Sequence, residues 1–194
     1  MSTVTVVGAG VIGLSWARLF ADHQWRVVVT DPREDLADVV ASADLAADVR
    51  MEADLATAVS DSDLVQECGP ERLELKRKLF GIIAAAAPST AIFASSSSSL
   101  LPTDMAEGNP APDRILVAHP FNPPHLMPLV ELVPGRQTSN ATMESAHAIY
   151  ESIGKVPVRL KKEIRGFIGN RLQKALNTEA TYLVQQDYIT PADL

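Results

Sequence analysis

At 194 residues with 46% hydrophobic side chains, the chain is long enough for one full α/β domain and the start of a second. A net charge of −7 with scattered acidic residues argues against a nucleic-acid partner, and no apolar run reaches membrane length. No leader precedes the first strand, which makes the cytoplasm the expected location, and the single cysteine, Cys68, excludes an internal disulfide and a metal-ligand cluster.

The apolar run 4–7 predicts a strand that enters Gly8-Ala9-Gly10-Val11-Ile12-Gly13 directly and continues as a helix over 14–21. Strand, glycine turn and helix in that order form the pattern in which a dinucleotide pyrophosphate meets a helix N-terminus. Gly8 permits the tight turn, Gly10 lets the backbone approach the anion, and Gly13 lets the helix pack close to the strand. Val11 and Ile12 open the helix at its positive end. The second strand, 25–30, ends in Asp31, eighteen residues after Gly13, where a carboxylate accepts both ribose hydroxyls of an adenosine. Asp31 would repel a 2′-phosphate, so NAD is expected over NADP, with Arg33 nearby as the one opposing sign.

Further along, 33–47 reads as helical, 49–52 as a short strand and 54–59 as a helical turn. Residues 63–67 form a strand, broken by Gly69-Pro70-Glu71 before a strong helix over 72–86 that Pro88 ends. Another buried strand at 90–94 empties into five serines, 95–99. A five-serine run is a flexible linker by composition, but its place at a strand's carboxyl end points to a site loop. A helix over 101–106 is expected to be capped near Thr103, followed by a polar loop at 109–114. Strands at 115–118 and 129–133, a helix over 140–153 ending at Gly154, and a last strand at 156–160 complete the alternation, which predicts a parallel, doubly wound sheet. From 166 to 186 the chain reads as one long helix whose apolar residues Phe167, Ile168, Leu172, Ala175, Leu176, Ala180 and Leu183 need a partner surface.

Between the last two antecedent strands, His119 stands before a Pro-rich turn and Glu131 follows twelve residues later. An imidazole titrates near neutral pH, and a carboxylate on its second nitrogen would fix the tautomer and stabilise the imidazolium formed on proton abstraction. The two are a candidate base and its orienting acid.

With these pieces in order the sequence resembles the 3-hydroxyacyl-CoA dehydrogenase superfamily, most closely its L-gulonate 3-dehydrogenase and lambda-crystallin branch. The likeness is carried by VVGAGVIG at 6–13, QECGPERLELKRKLF at 66–80, SSSSSLLP at 95–102, AHPFNPPHLMPLVELVP at 118–134 and KEIRGFIGNRLQ at 162–173. It implies a Rossmann-type domain over 1–164 and, over 165–194, the first long helix of an all-helical C-terminal domain that is truncated in this chain. It places the catalytic pair on His119 and Glu131, the substrate-binding serine on Ser98 (with Ser97 and Ser99 beside it in the same run), and the helical-domain asparagine on Asn170. Glu71 and Lys76 would contact the nicotinamide side of the cofactor, as would Ser98, and Asn122 would sit beside it. No metal is implied.

The chemistry that follows is removal of a proton from a substrate 3-hydroxyl by His119 while hydride leaves the same carbon for NAD. The substrate would be an L-3-hydroxy acid or a 3-hydroxyacyl-CoA. Only twenty-two residues separate Asp31 from Asp54, too few for the helical insertion that acyl-CoA relatives carry there. A non-catalytic NAD-binding module or crystallin-like structural protein is the alternative. The apolar face of the last helix predicts a homodimer, with a small-molecule substrate and neither nucleic acid nor membrane as partner.

Overall fold

The computed structural model describes residues 1–43, 45 and 49–194. In its amino-terminal half β1 (Thr3–Val7), α1 (Val11–Asp22), β2 (Arg26–Thr30), α2 (Leu36–Ser42), β3 (Val49–Met51), α3 (Leu55–Val59), β4 (Leu64–Glu67) and α4 (Leu73–Ala86) alternate as the sequence pattern requires. Then come β5 (Ile92–Ser95), α5 (Pro102–Ala106), β6 (Ile115–Pro120), β7 (Leu129–Pro134), α6 (Asn140–Ser152), β8 (Val156–Arg159) and α7 (Gly169–Gln185). The eight strands form one sheet in the order β3-β2-β1-β4-β5-β6-β7-β8. Chain order reverses between β1 and β4, which creates the crevice at the strand ends where open α/β sheets take ligands.

Hydrophobic clusters on the two faces hold the layers together. On one face Trp16 and Phe20 of α1 pack with Tyr150 of α6, the Trp16 ring lying 5.5 Å from that of Tyr150. On the other, Phe80 and Ile83 of α4 and Met105 of α5 cover Val65, Phe93, Ile115 and Val117. β1 is buried on both sides, which its Val-rich sequence allows and which a strand at the centre of a doubly wound sheet requires.

The sheet departs from the all-parallel expectation at one place. β7 runs antiparallel to β6, because the eight residues 121–128, three of them proline, are too few for the crossover a parallel partner needs. The cap of α5 also differs: Pro102 opens the helix, and the Thr103 N–H is satisfied by the distant Glu163 carboxylate at 3.0 Å rather than by a local cap. The helix expected over 33–47 is α2 alone, and residues 44, 46 and 47 of that range lie outside the described residues. The long last helix begins at Gly169, after a turn in which Gly166 and Phe167 both adopt positive φ. No residue of α7 is buried, and Leu172 and Leu176 are 66% and 65% exposed. Among the described residues no helix is long and apolar enough to cross a membrane.

Candidate active site

The antiparallel turn between β6 and β7 sets His119 directly opposite Glu131 in the strand register. His119 Nδ1 lies 2.8 Å from Glu131 Oε2, and both side chains are buried. A carboxylate only accepts, so in the neutral ring Nδ1 carries the proton and Nε2 the lone pair. The rings of Phe121 and Phe167 both pack tilted against the imidazole, with centroids 5.3 Å away.

The second oxygen of Glu131 is occupied too. The backbone N–H groups of Ile168 and Gly169, at the start of α7, donate to Oε1 at 2.9 and 3.0 Å. A Cβ at Gly169 would come within 2.4 Å of the Phe121 ring, so only glycine lets the helix approach this closely. Burial pushes the Glu131 carboxyl up, but the hydrogen bonds from His119, Gly169 and Ile168 outweigh it and hold the group below its ordinary value. A charged carboxylate therefore stands against the ring at neutral pH.

The serine loop follows β5, the neighbour of β6. Its organiser is Glu71, whose Oε1 accepts from the hydroxyls of Ser97 (2.6 Å) and Ser99 (2.9 Å) and from the N–H groups of Ser98 and Ser99. Burial pushes this carboxyl up, while the two serine hydroxyls and Lys76 bring it below its ordinary value. The ambiguity of the serine run is thereby reduced: Ser97 and Ser99 are committed to Glu71, while among the described residues the Ser98 hydroxyl has no hydrogen-bond partner. Ser98 also accepts at its carbonyl from Asn170 Nδ2 at 3.1 Å, which brings the first turn of α7 to the same place.

Lys76 differs from the expectation that it faces the cofactor. Its ammonium is 1% exposed and spent on both oxygens of Glu67 (2.8 and 2.7 Å) and on the Gly69 carbonyl, and it reaches no closer than 3.8 Å to Glu71. Taking both ions out of water costs several kcal/mol each by general experience, and here Ser95 Oγ and the Gly69 N–H complete the shell of Glu67. Glu67 was missed in the sequence. Its signal was a lone carboxylate closing the buried strand Leu64-Val65-Gln66-Glu67, which burial makes unstable without a partner.

At the other end of the crevice the glycine turn is laid out by close contacts. A Cβ on Gly13 would stand 1.9 Å from the Gly8 carbonyl oxygen, whereas one on Gly10 would meet nothing within 4 Å. Gly10 is the N-cap of α1, and Val11 is 80% exposed, so the helix start opens onto free space. Asp31 directly follows β2, its carboxylate accepting from the Ala9 and Arg33 N–H groups. A cleft of about 420 Å³, walled by Leu55, Pro70, Leu75 and Leu79, runs beside Gly8 and Asp31. Arg33 is paired with Asp35 at 2.7 Å. Asn122 is exposed in the loop three residues after His119.

The chain matches the family described as 3-hydroxyacyl-CoA dehydrogenase, NAD binding domain, over residues 3–43 and 39–164. It belongs to that family. The chain is similar to L-carnitine dehydrogenase of Nocardiopsis dassonvillei (41% identical, covering 97% of this chain and 62% of that protein) and to lambda-crystallin of Oryctolagus cuniculus (39%, 98% and 66%). Its fold is similar to that of (S)-3-hydroxybutyryl-CoA dehydrogenase from Ralstonia eutropha, with a TM-score of 0.89 at 29% identity, over 100% of this chain and 75% of that one. The chain spans slightly less than two thirds of the length of the curated relatives it matches. The 3-hydroxyacyl-CoA dehydrogenase family is one of NAD-dependent oxidoreductases, and NAD is its cofactor. The residues present fit that cofactor: an open backbone approach at Gly10, an acid at the end of β2, and an apolar cleft of adenosine size between them.

Three further groups near the site escaped sequence reasoning. Ser15 of α1 bonds His125 of the 121–128 loop, Lys155 grips the same loop, and Trp16 Nε1 joins Gln66 and Cys68 on the Ser96 hydroxyl. Burial pushes the Cys68 thiol up to about 12, which leaves it a neutral packing group at physiological pH.

Proposed function

We propose that this chain is the cofactor-binding and proton-abstracting part of an NAD-dependent dehydrogenase that oxidises the 3-hydroxyl of an L-3-hydroxy acid or a 3-hydroxyacyl-CoA. The observation that carries it is His119 with Nδ1 committed to a charged Glu131 and Nε2 free, while the first turn of α7 joins the pair to the serine loop through Gly169 on Glu131 and Asn170 on Ser98. NAD, when bound, supplies the hydride acceptor. Gly8, Gly10, Val11, Ile12 and Gly13 would hold its pyrophosphate at the start of α1, and Asp31 its adenosine ribose. Pairing of Arg33 with Asp35 leaves Asp31 as the dominant charge there, which favours NAD over its 2′-phosphorylated form.

His119 Nε2 takes the hydroxyl proton as the oxygen becomes a carbonyl, and Glu131 offsets the charge this leaves on the ring. The Ser98 hydroxyl and Asn170 orient the substrate oxygen, with Glu71 fixing the loop that presents Ser98. Asn122 stands on the nicotinamide side. Residues 1–164 form the cofactor domain and 165–194 open a helical one, and the exposed apolar face of α7 joins two copies in a dimer. The short link between Asp31 and Asp54 departs from both the acyl-CoA and the gulonate branches, so it does not choose between a free hydroxy acid and a thioester.

The test is NADH formation with L-gulonate, L-carnitine, L-3-hydroxybutyrate and 3-hydroxybutyryl-CoA, run beside His119→Ala. Turnover that falls at least about 100-fold in the variant, with NAD affinity unchanged, supports the base. NAD binding without turnover of any substrate would leave a cofactor-binding module instead, and undiminished turnover in His119→Ala would remove His119 from the reaction.

A further inference from the structure

Lys155 has no part in the reaction above, yet its placement is unusual for a lysine. It sits between α6 and β8 with 5% of its surface exposed, and among the described residues no carboxylate forms an ion pair with it. Its ammonium donates instead to two main-chain carbonyls of the loop between β6 and β7, that of Pro124 and that of Met127, the latter at 2.6 Å. The Trp16 ring lies 5.1 Å from the same nitrogen. Burying an ammonium without a counter-ion is costly, and it persists where its donors meet acceptors that would otherwise be stranded.

The loop is gripped elsewhere as well. The Val156 N–H donates to the Pro128 carbonyl at 2.8 Å, so the junction around Lys155 holds 124–128 at three points. From α1 the Ser15 Oγ accepts from the His125 N–H at 2.9 Å, and that hydroxyl lies 2.7 Å from His125 Nδ1. Ser15 belongs to α1, the helix whose start opens on the cofactor crevice. The loop is thus bonded both to α1 and to the α6–β8 junction, and it leaves the His119 strand at one end and enters the Glu131 strand at the other. Leu126, Met127 and Pro128 are themselves solvent-exposed, so apolar packing does not hold these three down, and only Pro124 of the stretch is buried.

We propose that Lys155 is a positioning residue: by holding the Pro124 and Met127 carbonyls it fixes the loop that carries Asn122, and with it the ends of the two strands that bear His119 and Glu131. Its role in turnover rests on the dehydrogenase reading; its hold on the loop does not. A long side chain with three donors and no acceptor suits the task, since it satisfies two carbonyls and an aromatic face from one point. Substitution by methionine keeps the apolar stem and removes the donors.

The experiment combines hydrogen exchange of the full chain with steady-state kinetics of wild type, Lys155→Met and Lys155→Arg. In the wild type the amides of 125–127 are expected to exchange far more slowly than exposed loop amides. In Lys155→Met their exchange rises at least about tenfold while β1 and β2 stay within about twofold. Under the same substitution kcat falls about tenfold with KM for NAD little changed, because an orienting contact rather than cofactor binding is lost, and Lys155→Arg restores both. Fast exchange of the loop in the wild type overturns the proposal without recourse to any variant. So does a rise spread evenly over the whole sheet, or a loosened loop with unchanged kcat. A wild type that turns over nothing, with the loop behaving as described, overturns the dehydrogenase reading and upholds the tether.

Discussion

Replacing Glu131 by glutamine tests the pair at the centre of the site. The carboxylate now accepts on both sides, from His119 Nδ1 through Oε2 and from the Ile168 and Gly169 N–H groups through Oε1. A glutamine has one accepting oxygen, and the two fixed backbone donors claim it. The amide NH2 then faces His119 Nδ1, and two donors cannot meet, so the imidazole proton moves to Nε2. A ring protonated at Nε2 cannot take a proton there. Loss of a charge-assisted hydrogen bond alone, at about 1.5–3 kcal/mol, corresponds to about 10- to 150-fold in rate. The analogous wrong-tautomer substitution in a serine-protease triad costs about 10⁴-fold. The expected fall in kcat for Glu131→Gln therefore lies between about 10²- and 10⁴-fold, with KM for NAD within about twofold because the cofactor crevice is untouched. Stopped-flow measurement of NADH formation, with circular dichroism to verify the fold, reads this directly. A folded variant that keeps more than about a tenth of wild-type kcat would refute the tautomer mechanism.

Two glycines of the same turn should separate cofactor binding from folding. Gly10→Ala adds a methyl where nothing lies within 4 Å, so thermal stability should change by no more than about 0.5 kcal/mol while NADH affinity drops at least about tenfold; equal losses in Gly13→Ala and Gly10→Ala would contradict this, since the Gly13 methyl meets a carbonyl oxygen at 1.9 Å and should destabilise the fold. Stability should also depend on pH through Lys155. Burial lowers its folded value to about 8 against an ordinary 10.5, so below about 8 both states hold the proton and the folded state carries a buried charge. Between 8 and 10.5 only the unfolded chain keeps the proton, and stability rises with pH across that window; urea midpoints for wild type and Lys155→Met that run parallel from pH 7 to 10 would be the contrary result. Finally, light scattering should report a dimer for the wild type and a monomer once Leu172 and Leu176, one turn apart on α7, are both changed to Glu. A monomeric wild type at working concentration would dispose of that dimer.

The glycine turn, its helix and Asp31 were legible because their information is local. Gly13 answers to contacts with Gly8 and Val6 inside one strand–turn–helix unit, and the apolar runs announce strands buried on both faces, although the contact that holds Gly8 comes from Cys68 and Gly69 after β4. The pairing of His119 with Glu131 was half legible: spacing named the two residues, but their meeting depends on β7 turning back antiparallel, which the length and proline content of 121–128 decide in three dimensions. Glu67 with Lys76, Glu71 with the serine loop, and Lys155 with Pro124 and Met127 were not legible at all. Their partners lie 9, 26 to 29, and 28 to 31 residues away, and a charged side chain's sequence neighbourhood does not say whether it will be solvated or must find a buried partner. Local sequence determined which elements form and where the cofactor turn lies. Only the packed sheet decided which buried charges face one another, because burial is a property of the assembled layers and it is burial that makes those contacts obligatory.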